Sequence, residues 1–504
     1  MLPYLKTGNE TAKQYTVAFQ GINWGQDWAE GELSHCENLS AEQFPCLSQR
    51  APRRELGRYP GPGGLITKDG LLIVSAGTVF HNGKAVGTVT PGRKQLAAMG
   101  DYVVIFPDKA YYNTEKGEFG SLEAEAVVTG AVFTDSTITA EGVSFPFRAG
   151  DAVAISGCAA AENDRTVILR SVEGGVLGVY ENTFTAGTET GSITLRREVP
   201  ELDFICESNY RLWGTHGNTI YASKYGDPFN FHVFDGLSGD SYCIDVASEG
   251  AFTGCTPYSG HICFFKEHTL HKLYGSKPSN FQLVTSQVSG VEAGSEKSLC
   301  VVNETLFYKG AGGVYAYTGG VPELVSANFG SRRFQNACAA ADDSCYYLSM
   351  EGEDGWQLMT YDVRRGIWLQ EDDLHCVDMA RSGGHVCLLA ADGTLWQASG
   401  GTDACSIPWS VTFCPFSETV LSRKGYSKFH LRLELGEGAW LTVQLCRDNE
   451  ETWETIHTTR GGRARTVSIP VLPVRCDRLE LRLSGQGRCL LRTLVRELTV
   501  GSDV

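Results

Sequence analysis

The sequence predicts an all-β protein: a β-propeller of about six or seven blades, a small β-barrel inserted between blades, and a C-terminal β-sandwich of jelly-roll type. Three observations predict this architecture. A segment recurs fifty residues further along, a short hairpin recurs over most of the chain, and strictly alternating strands begin near residue 405. Long helical periods are absent from the 504 residues, so helices contribute little to the expected fold.

The first observation is the repeated segment. Residues 219–231 (TIYASKYGDPFNF) match residues 269–281 (TLHKLYGSKPSNF) at one constant offset. The identical pairs are Thr219/Thr269, Pro228/Pro278, Asn230/Asn280 and Phe231/Phe281. Self-similarity at a fixed period of this size is typical of radial or stacked repeats.

The second observation is a hairpin made of a short apolar strand, a tight turn, and a small, an aliphatic and usually an aromatic residue. β-Branched and aromatic residues bounded by Gly, Asp and Asn are strand signals, and Asp-Gly suits two-residue turns. All but one of the gaps between copies are near the length of a propeller blade; a β-sandwich with similar strands is the alternative. The third residues of the copies are Phe80, Tyr112, Tyr221, His271, Tyr315, Tyr361 and Trp396.

The domain boundaries follow from these patterns. Residues 1–60 have few periodic apolar positions and predict an irregular arm, whereas 61–119 and 201–404 hold the hairpins. Residues 120–200 fill the one long gap and contain five or six short strand-like runs, which predicts the inserted barrel. Residues 405–504 alternate apolar and polar side chains, which is typical of sheets with one buried and one wet face.

Composition excludes several classes of protein. No run of 18 apolar residues exists, so no transmembrane helix is expected, and the N-terminus lacks the apolar region of a signal peptide. The 17 cysteines contain no Cys-x-x-Cys, which favours reduced, buried thiols over disulfides or zinc. The net charge of −16 argues against binding nucleic acid through phosphates. It is compatible with DNA passing through a channel without adhering.

Two arginine groups are the candidate assembly surfaces. The first lies in the N-terminal arm beside Arg58, and the second lies on the wet face of the alternating strands with Glu434 and Glu480. Either group could dock on an acidic partner, and either could be an ordinary solvated surface. The six predicted residues are Arg50, Arg53, Arg54, Arg432, Arg447 and Arg482.

Signs of catalysis are weak. Two acidic runs, at 351–354 and 371–373, are predicted to be solvated hairpin loops. Ala391-Asp-Gly-Thr-Leu-Trp396 is a single, incomplete match to the Asp-box turn of sialidases. Asp235, Asp240 and Asp245 recur every five residues, but this spacing fits no calcium loop. The prediction is a protein that is not an enzyme and that has no catalytic residues, cofactor or metal.

Three stretches together carry a resemblance to a known family. They are Glu37–Arg50 (ENLS…FP…LSQR), Arg211–Phe231 with its fifty-residue repeat, and the C-terminal sandwich. The set resembles the β-propeller proteins of tailed-bacteriophage tails, the nozzle or hub that continues the portal and adaptor channel. The resemblance implies a virion structural protein that assembles in the host cytoplasm. It further implies a ring, commonly sixfold, that helps retain packaged DNA and contacts adaptor, portal or other tail proteins, including tail fibres.

Two other functions stay open from the sequence. One is a propeller that binds or cleaves glycan at the host surface, as a receptor-binding or baseplate component. The other is a cellular scaffold that combines a propeller with an adhesive sandwich.

Overall fold

The computed structural model describes residues 10–180, 182–416, 418, 423–448 and 452–500, without the side chains of 10 and 462–465. The predicted all-β class is confirmed. Contacts divide the chain into two compact units, Tyr59–Leu299 and the combination of Met1–Arg58 with Cys300–Val504. The helices among the described residues are single 3-10 turns at Ala161–Asn163, Pro278–Asn280, Glu296–Ser298 and Ala327–Phe329.

The described part of the N-terminal segment, from residue 10 onward, contains strands, which corrects the prediction of an irregular arm there; residues 1–9 lie outside the described residues. Its strands pair with C-terminal ones; Glu10, for example, pairs with Val500. Such strands were missed because they are short and their partners are distant in sequence. They are β1 (Glu10–Thr16), β2 (Gly21–Ile22), β3 (Glu32–Glu37), β4 (Leu39–Ser40), β5 (Leu47–Gln49) and β6 (Arg54–Arg58).

Two four-stranded antiparallel sheets follow, each with its strands in chain order. The first is β7 (Pro62–Thr67), β8 (Leu71–Ser75), β9 (Thr78–His81) and β10 (Lys84–Thr88). The second is β11 (Gln95–Met99), β12 (Tyr102–Phe106), β13 (Ala110–Asn113) and β14 (Glu118–Ser121).

The inserted segment forms one eight-stranded antiparallel sheet with its own core, which includes Phe133, Ile138 and Leu169. The strand order is β15-β22-β18-β19-β20-β17-β16-β21, and closure into a barrel stays a prediction. The strands are β15 (Ala124–Thr129), β16 (Val132–Phe133), β17 (Thr137–Thr139), β18 (Ala152–Ser156), β19 (Thr166–Glu173), β20 (Val176–Val179), β21 (Gly187–Thr188) and β22 (Ser192–Arg197).

Five more four-stranded sheets complete the seven-bladed β-propeller arrangement. Four blades belong to the unit Tyr59–Leu299 and three to the other. The strands are β23 (Phe204–Ser208), β24 (Arg211–His216), β25 (Thr219–Ala222), β26 (Tyr242–Asp245), β27 (Gly254–Tyr258), β28 (His261–Phe265), β29 (Thr269–Tyr274), β30 (Gln282–Gln287), β31 (Cys300–Val302), β32 (Thr305–Gly310), β33 (Gly313–Tyr317), β34 (Glu323–Leu324), β35 (Phe334–Ala341), β36 (Cys345–Gly352), β37 (Gly355–Asp362), β38 (Ile367–Asp372), β39 (Cys376–Ser382), β40 (His385–Ala390) and β41 (Thr394–Gln397).

The predicted hairpins coincide with the blades. The third residue of each of the seven copies lies on the third strand of a different sheet, and Phe80 and Tyr112 lie in separate blades. The looser copy at Tyr361 continues into the fourth strand of its blade, which holds Trp368. The fourth strand of the last blade comes from the N-terminal segment, because β6 pairs with β41. Neighbouring blades within a unit pack through apolar faces; Trp213 and Phe264, for instance, share one core.

The C-terminal strands complete an eleven-stranded sheet with β1 to β5, in the main order β2-β3-β42-β46-β43-β47-β5-β4. Because it recruits the N-terminal strands, this sheet is not confined to residues 405–504, and its jelly-roll type stays a prediction. Alternate side chains of β43 enter its core, among them Leu431, Leu433 and Val443. The strands are β42 (Pro408–Phe413), β43 (Lys424–Arg447), β44 (Glu454–Pro470), β45 (Arg475–Cys476), β46 (Leu479–Gln486) and β47 (Cys489–Val500).

Candidate assembly surfaces

Arg50 and Arg53 are not surface charges. Their side chains are 11% and 8% exposed, and both contact the end of β38. Arg53 donates through Nη2 to Glu371 Oε2 at 2.6 Å and through Nη1 to Asp372 Oδ2 at 2.5 Å. Arg50 donates through Nε to Asn38 Oδ1 at 2.7 Å and lies 3.4 Å from Asp372. The group ties the N-terminal segment to a blade.

This geometry corrects two sequence predictions. Arg50 and Arg53 cannot serve as an exposed docking cluster, and Glu371 and Asp372 are not part of a solvated loop, since Glu371 is 6% exposed. Burial lowers the pKa of Arg53, but the facing Glu371 and Asp372 carboxylates outweigh it and raise that pKa overall. The four charges therefore act as a structural unit in the folded protein.

Arg54 is the member of the N-terminal candidates that faces solvent. It lies on β6 opposite Gln397 and is exposed, as is Arg58, whose Nε lies 3.0 Å from Glu55 Oε1. Arg53 lies just before β6 and its side chain reaches the end of β38, whereas Arg54 is the first residue of β6.

Arg432 lies in a shallow groove of the C-terminal sheet with a volume of about 710 Å³. Its neighbours there include Glu434, Arg492 and the exposed Val17. Arg492 is paired with Glu434 at 2.5 Å, whereas no ion pair or hydrogen bond joins the Arg432 side chain to the described part of the chain. Arg432 is therefore available to a partner.

Arg447 and Arg482 are partly covered by their own sheet. Arg447 Nη1 lies 2.8 Å from Glu454 Oε2. Arg482 stacks 3.8 Å above the ring of Trp453 and donates to Thr412 Oγ1 at 3.2 Å. Both keep some exposure, but their guanidinium groups already have intramolecular partners.

Sequence reasoning missed a buried arginine in the same sheet. Arg496 is 0% exposed, donates to Glu30 and Glu418 at 2.8 Å each, and lies 3.9 Å above the ring of Phe416. A signal was present in β47, where Arg496 stands in phase with Leu494 and Leu498, both buried. A charge at an inward position of an alternating strand predicts a buried ion pair.

A second missed group joins the inserted sheet to the propeller. Asn230 donates to Asp151 Oδ1 at 2.9 Å and accepts from the Ala152 amide at 3.0 Å. Arg197 Nη1 donates to the other oxygen of Asp151 at 2.7 Å. All three side chains are at most 5% exposed. The repeated segment contained this residue, but its twin Asn280 is exposed and instead accepts from the Ser276 and Lys277 amides.

Three more of the predicted acidic candidates, Glu351, Asp240 and Asp245, have structural partners. Asn336 and Gln335 donate to Glu351 and lower its pKa. Asp240 accepts from the Leu237 amide, and Asp245 accepts from Thr219 Oγ1. Within the described ranges, no group of three or more His, Cys, Asp or Glu side chains is arranged to hold a metal ion. None of the seventeen cysteines, all of which lie among the described residues, forms a disulfide, and eleven of them are buried.

A search for membrane-spanning segments found no helix among the described residues with the length and apolar character to cross a bilayer.

Comparison with known proteins finds similarity of fold but assigns the chain to no family. No family model and no curated protein matches the chain. Solved structures that align include BamB from Moraxella catarrhalis, at 11% identity over 71% of this chain and 99% of that one, with a TM-score of 0.36. An exo-beta-1,3-galactanase from Phanerochaete chrysosporium aligns at 10% identity over 87% and 96%, with a TM-score of 0.23. Hsv2 from Kluyveromyces lactis aligns at 9% identity over 62% and 97%, with a TM-score of 0.26. Such low similarity carries no argument about function.

Proposed function

We propose that this protein is a structural component of a bacteriophage virion, a tail nozzle or hub ring protein that continues the portal-adaptor channel. The observation that carries the proposal is the segment Arg211–Phe231, the most specific part of the resemblance to phage tail propellers. Its Arg211 organises the blade loop, and its Asn230 fastens the inserted sheet to the propeller. Residues of that segment are thus used for rigid assembly of the subunit, as a scaffold requires.

Charge distribution supports self-association into a ring, which we propose to be a hexamer. Residues 405–504 contain fourteen Lys and Arg against eleven Asp and Glu, whereas residues 1–404 contain twenty-nine against forty-eight. A basic domain in an otherwise acidic chain suits a head-to-tail contact, in which a different patch of each copy meets its neighbour. Arg432 is the residue best placed for such a contact.

In this proposal the ring surrounds genomic DNA without reading its sequence. An acidic chain repels phosphates, so DNA would pass through the lumen instead of binding to it. Adaptor, portal, tail-fibre and other tail proteins are the further partners, and the virion tail is the proposed location after assembly in the host cytoplasm.

Mass spectrometry of purified particles, followed by cryo-EM of the tail complex, tests the proposal. We expect peptides of this chain in particles at a copy number that matches a ring, and density for seven-bladed subunits around the channel. Absence of the chain from particles whose portal and tail proteins are detected would falsify the assignment.

The second candidate is a glycan-binding propeller at the host surface. It is favoured by exposed tyrosines beside a small polar cleft, described below. Glycan cleavage is less well supported, because three carboxylates of the two predicted acidic runs have structural partners: Glu351 has amide donors, and Glu371 and Asp372 face Arg53.

A further inference from the structure

A small cleft lies between two neighbouring blades of the unit Tyr59–Leu299. The start of β24 lines one side with Arg211, and the start of β28 lines the other with His261. The loop after β29, with Gly275 and Phe281, completes the lining. The enclosed space is about 10 Å³, which is room for one water-sized group.

Two of the lining residues, Arg211 and His261, each have a deeply buried polar atom that lacks a partner among the described residues. Arg211 is 1% exposed and donates to the carbonyls of Ser223, Ser238 and Asp240, but its Nε has no acceptor in the described chain. His261 is 8% exposed, and its Nε2 likewise has no partner among the described residues. A buried polar group without a hydrogen bond costs about 1–3 kcal/mol, so both atoms favour a ligand.

The chemistry of the two atoms is complementary and selects the ligand. His261 Nδ1 lies 3.3 Å from the Ser259 carbonyl oxygen, which only accepts, so Nδ1 carries the proton and Nε2 is an acceptor. Burial lowers the pKa of His261, which favours this neutral form. Arg211 Nε–H can only donate. A hydroxyl group both accepts and donates, whereas a carboxylate or phosphate dianion offers His261 no hydrogen.

Exposed aromatic rings stand beside the cleft. Tyr225 is 53% exposed, and the Arg211 Cζ atom lies 5.8 Å above the centroid of its ring. Tyr210 is 63% exposed and lies 5.8 Å from Tyr225. On the other side, Tyr274 stacks on His261 at 4.8 Å. Apolar ring faces beside a few convergent polar groups are the usual composition of a small-molecule site.

Tyr210 also holds an unfavourable backbone conformation. Its φ is +56°, in the second position of the two-residue turn between β23 and β24. The equivalent position in the next blade is Gly260, which adopts φ +79° without a side-chain penalty. A bulky residue with positive φ is uncommon and often marks a functional site.

We propose that this cleft binds one hydroxyl group of a neutral polyhydroxylated ligand, with a sugar ring resting against the flanking tyrosines. The hydroxyl oxygen accepts from Arg211 Nε–H, and its hydrogen is donated to His261 Nε2. The proposal deepens the glycan-binding candidate and does not depend on the tail assignment, because it concerns binding by the isolated chain.

Saturation-transfer NMR on the purified full-length chain tests the site. Glycerol, glucose, galactose and N-acetylglucosamine serve as hydroxyl probes, with acetate and phosphate as anions. We expect saturable binding of at least one sugar, weakened about tenfold or more in His261→Phe. The exposed His268 supplies the matched control, and His268→Phe should bind like the unaltered chain. Neither anion should compete.

Tyr210→Gly is the second variant, because it relieves the positive φ and should not unfold the blade. We expect weaker sugar binding together with an unchanged or raised melting temperature. Failure of every sugar to bind, or equal binding by His261→Phe and the unaltered chain, overturns the proposal and leaves the cleft a water site. Detection of the chain in particles bears on the tail proposal alone.

Discussion

At the scale of single residues, adjacent arginines have opposite environments. Arg53 is buried against Glu371 and Asp372, whereas Arg54 faces solvent on β6. Arg53→Met should lower the free energy of unfolding by about 3–5 kcal/mol, because it leaves Glu371 and Asp372 with Arg50 alone as their counter-charge. Arg54→Met should change it by no more than about 0.5 kcal/mol. Urea denaturation of both variants measures the difference.

A double variant distinguishes loss of charge balance from loss of packing. Adding Glu371→Gln to Arg53→Met leaves Arg50 paired with Asp372 and no surplus carboxylate, and should restore part of the stability. If Arg53→Met proves as mild as Arg54→Met, the cluster does not stabilise the fold in the way its geometry implies.

The environment of His271 predicts how the stability of the folded protein depends on pH. It is buried between Ser248 Oγ at 2.9 Å and Thr285 Oγ1 at 2.8 Å, and burial, with Lys266 nearby, lowers its pKa from 6.5 to about 4. Because the pKa of His271 is lower in the folded than in the unfolded state, its contribution to stability is fully present above pH 6.5. The contribution is lost as the pH falls toward 4, since the unfolded state takes up the proton first. His271→Asn should flatten the melting temperature over this range, whereas His268→Asn should leave the slope intact.

At the scale of elements, the two copies of the repeated segment share a backbone position in their blades, but their asparagine side chains have different roles. Thr219 and Thr269 both begin the third strand of their blades. Downstream, Asn230 binds the inserted sheet, but Asn280 caps an exposed turn. Asn230→Ala should therefore lower the free energy of unfolding by about 2–3 kcal/mol, since it leaves buried groups of Asp151 and Ala152 without this hydrogen-bond partner. Asn280→Ala should lower the free energy of unfolding by about 1 kcal/mol or less, which is the usual effect of losing a capping side chain.

Hydrogen exchange localises the effect of these two substitutions. In Asn230→Ala, amides of β18 next to Ala152 should lose protection. In Asn280→Ala, changes should stay within the β29–β30 loop. Similar, local effects in both variants would contradict the assigned role of Asn230.

The elements also show what the sequence could predict. Blade hairpins were predictable because their strands pair across short turns, so the pattern that defines each hairpin is contiguous. Strand β1 was not predictable from a contiguous pattern, because its partner β47 lies at the other end of the chain. The same reason hid the candidate residues: Arg53 and Glu371 are 318 positions apart, and nothing near Arg53 indicates that a carboxylate will cover it. Arg496, in contrast, was detectable from its phase in an alternating strand.

At the scale of the whole molecule, the charges specify where self-association should be sensitive. In the proposed ring, the basic residues of 405–504 attract the acidic remainder of a neighbouring copy. Salt screens such attraction, since the Debye length falls from about 10 Å at 0.1 M to about 3 Å at 1 M. Rings observed by mass photometry should therefore dissociate as salt is raised.

Arg432→Glu tests the same attraction at one position. Arg432 lies in an open groove and has no charged partner in the described chain, so reversing its charge should weaken ring formation at low salt without lowering the melting temperature. Arg447→Glu is the matched comparison: it also breaks the contact with Glu454 and should lower stability slightly. Rings that form equally well in Arg432→Glu, or that persist unchanged at 1 M salt, would mean that apolar contacts hold the copies together and that the basic domain meets some other partner.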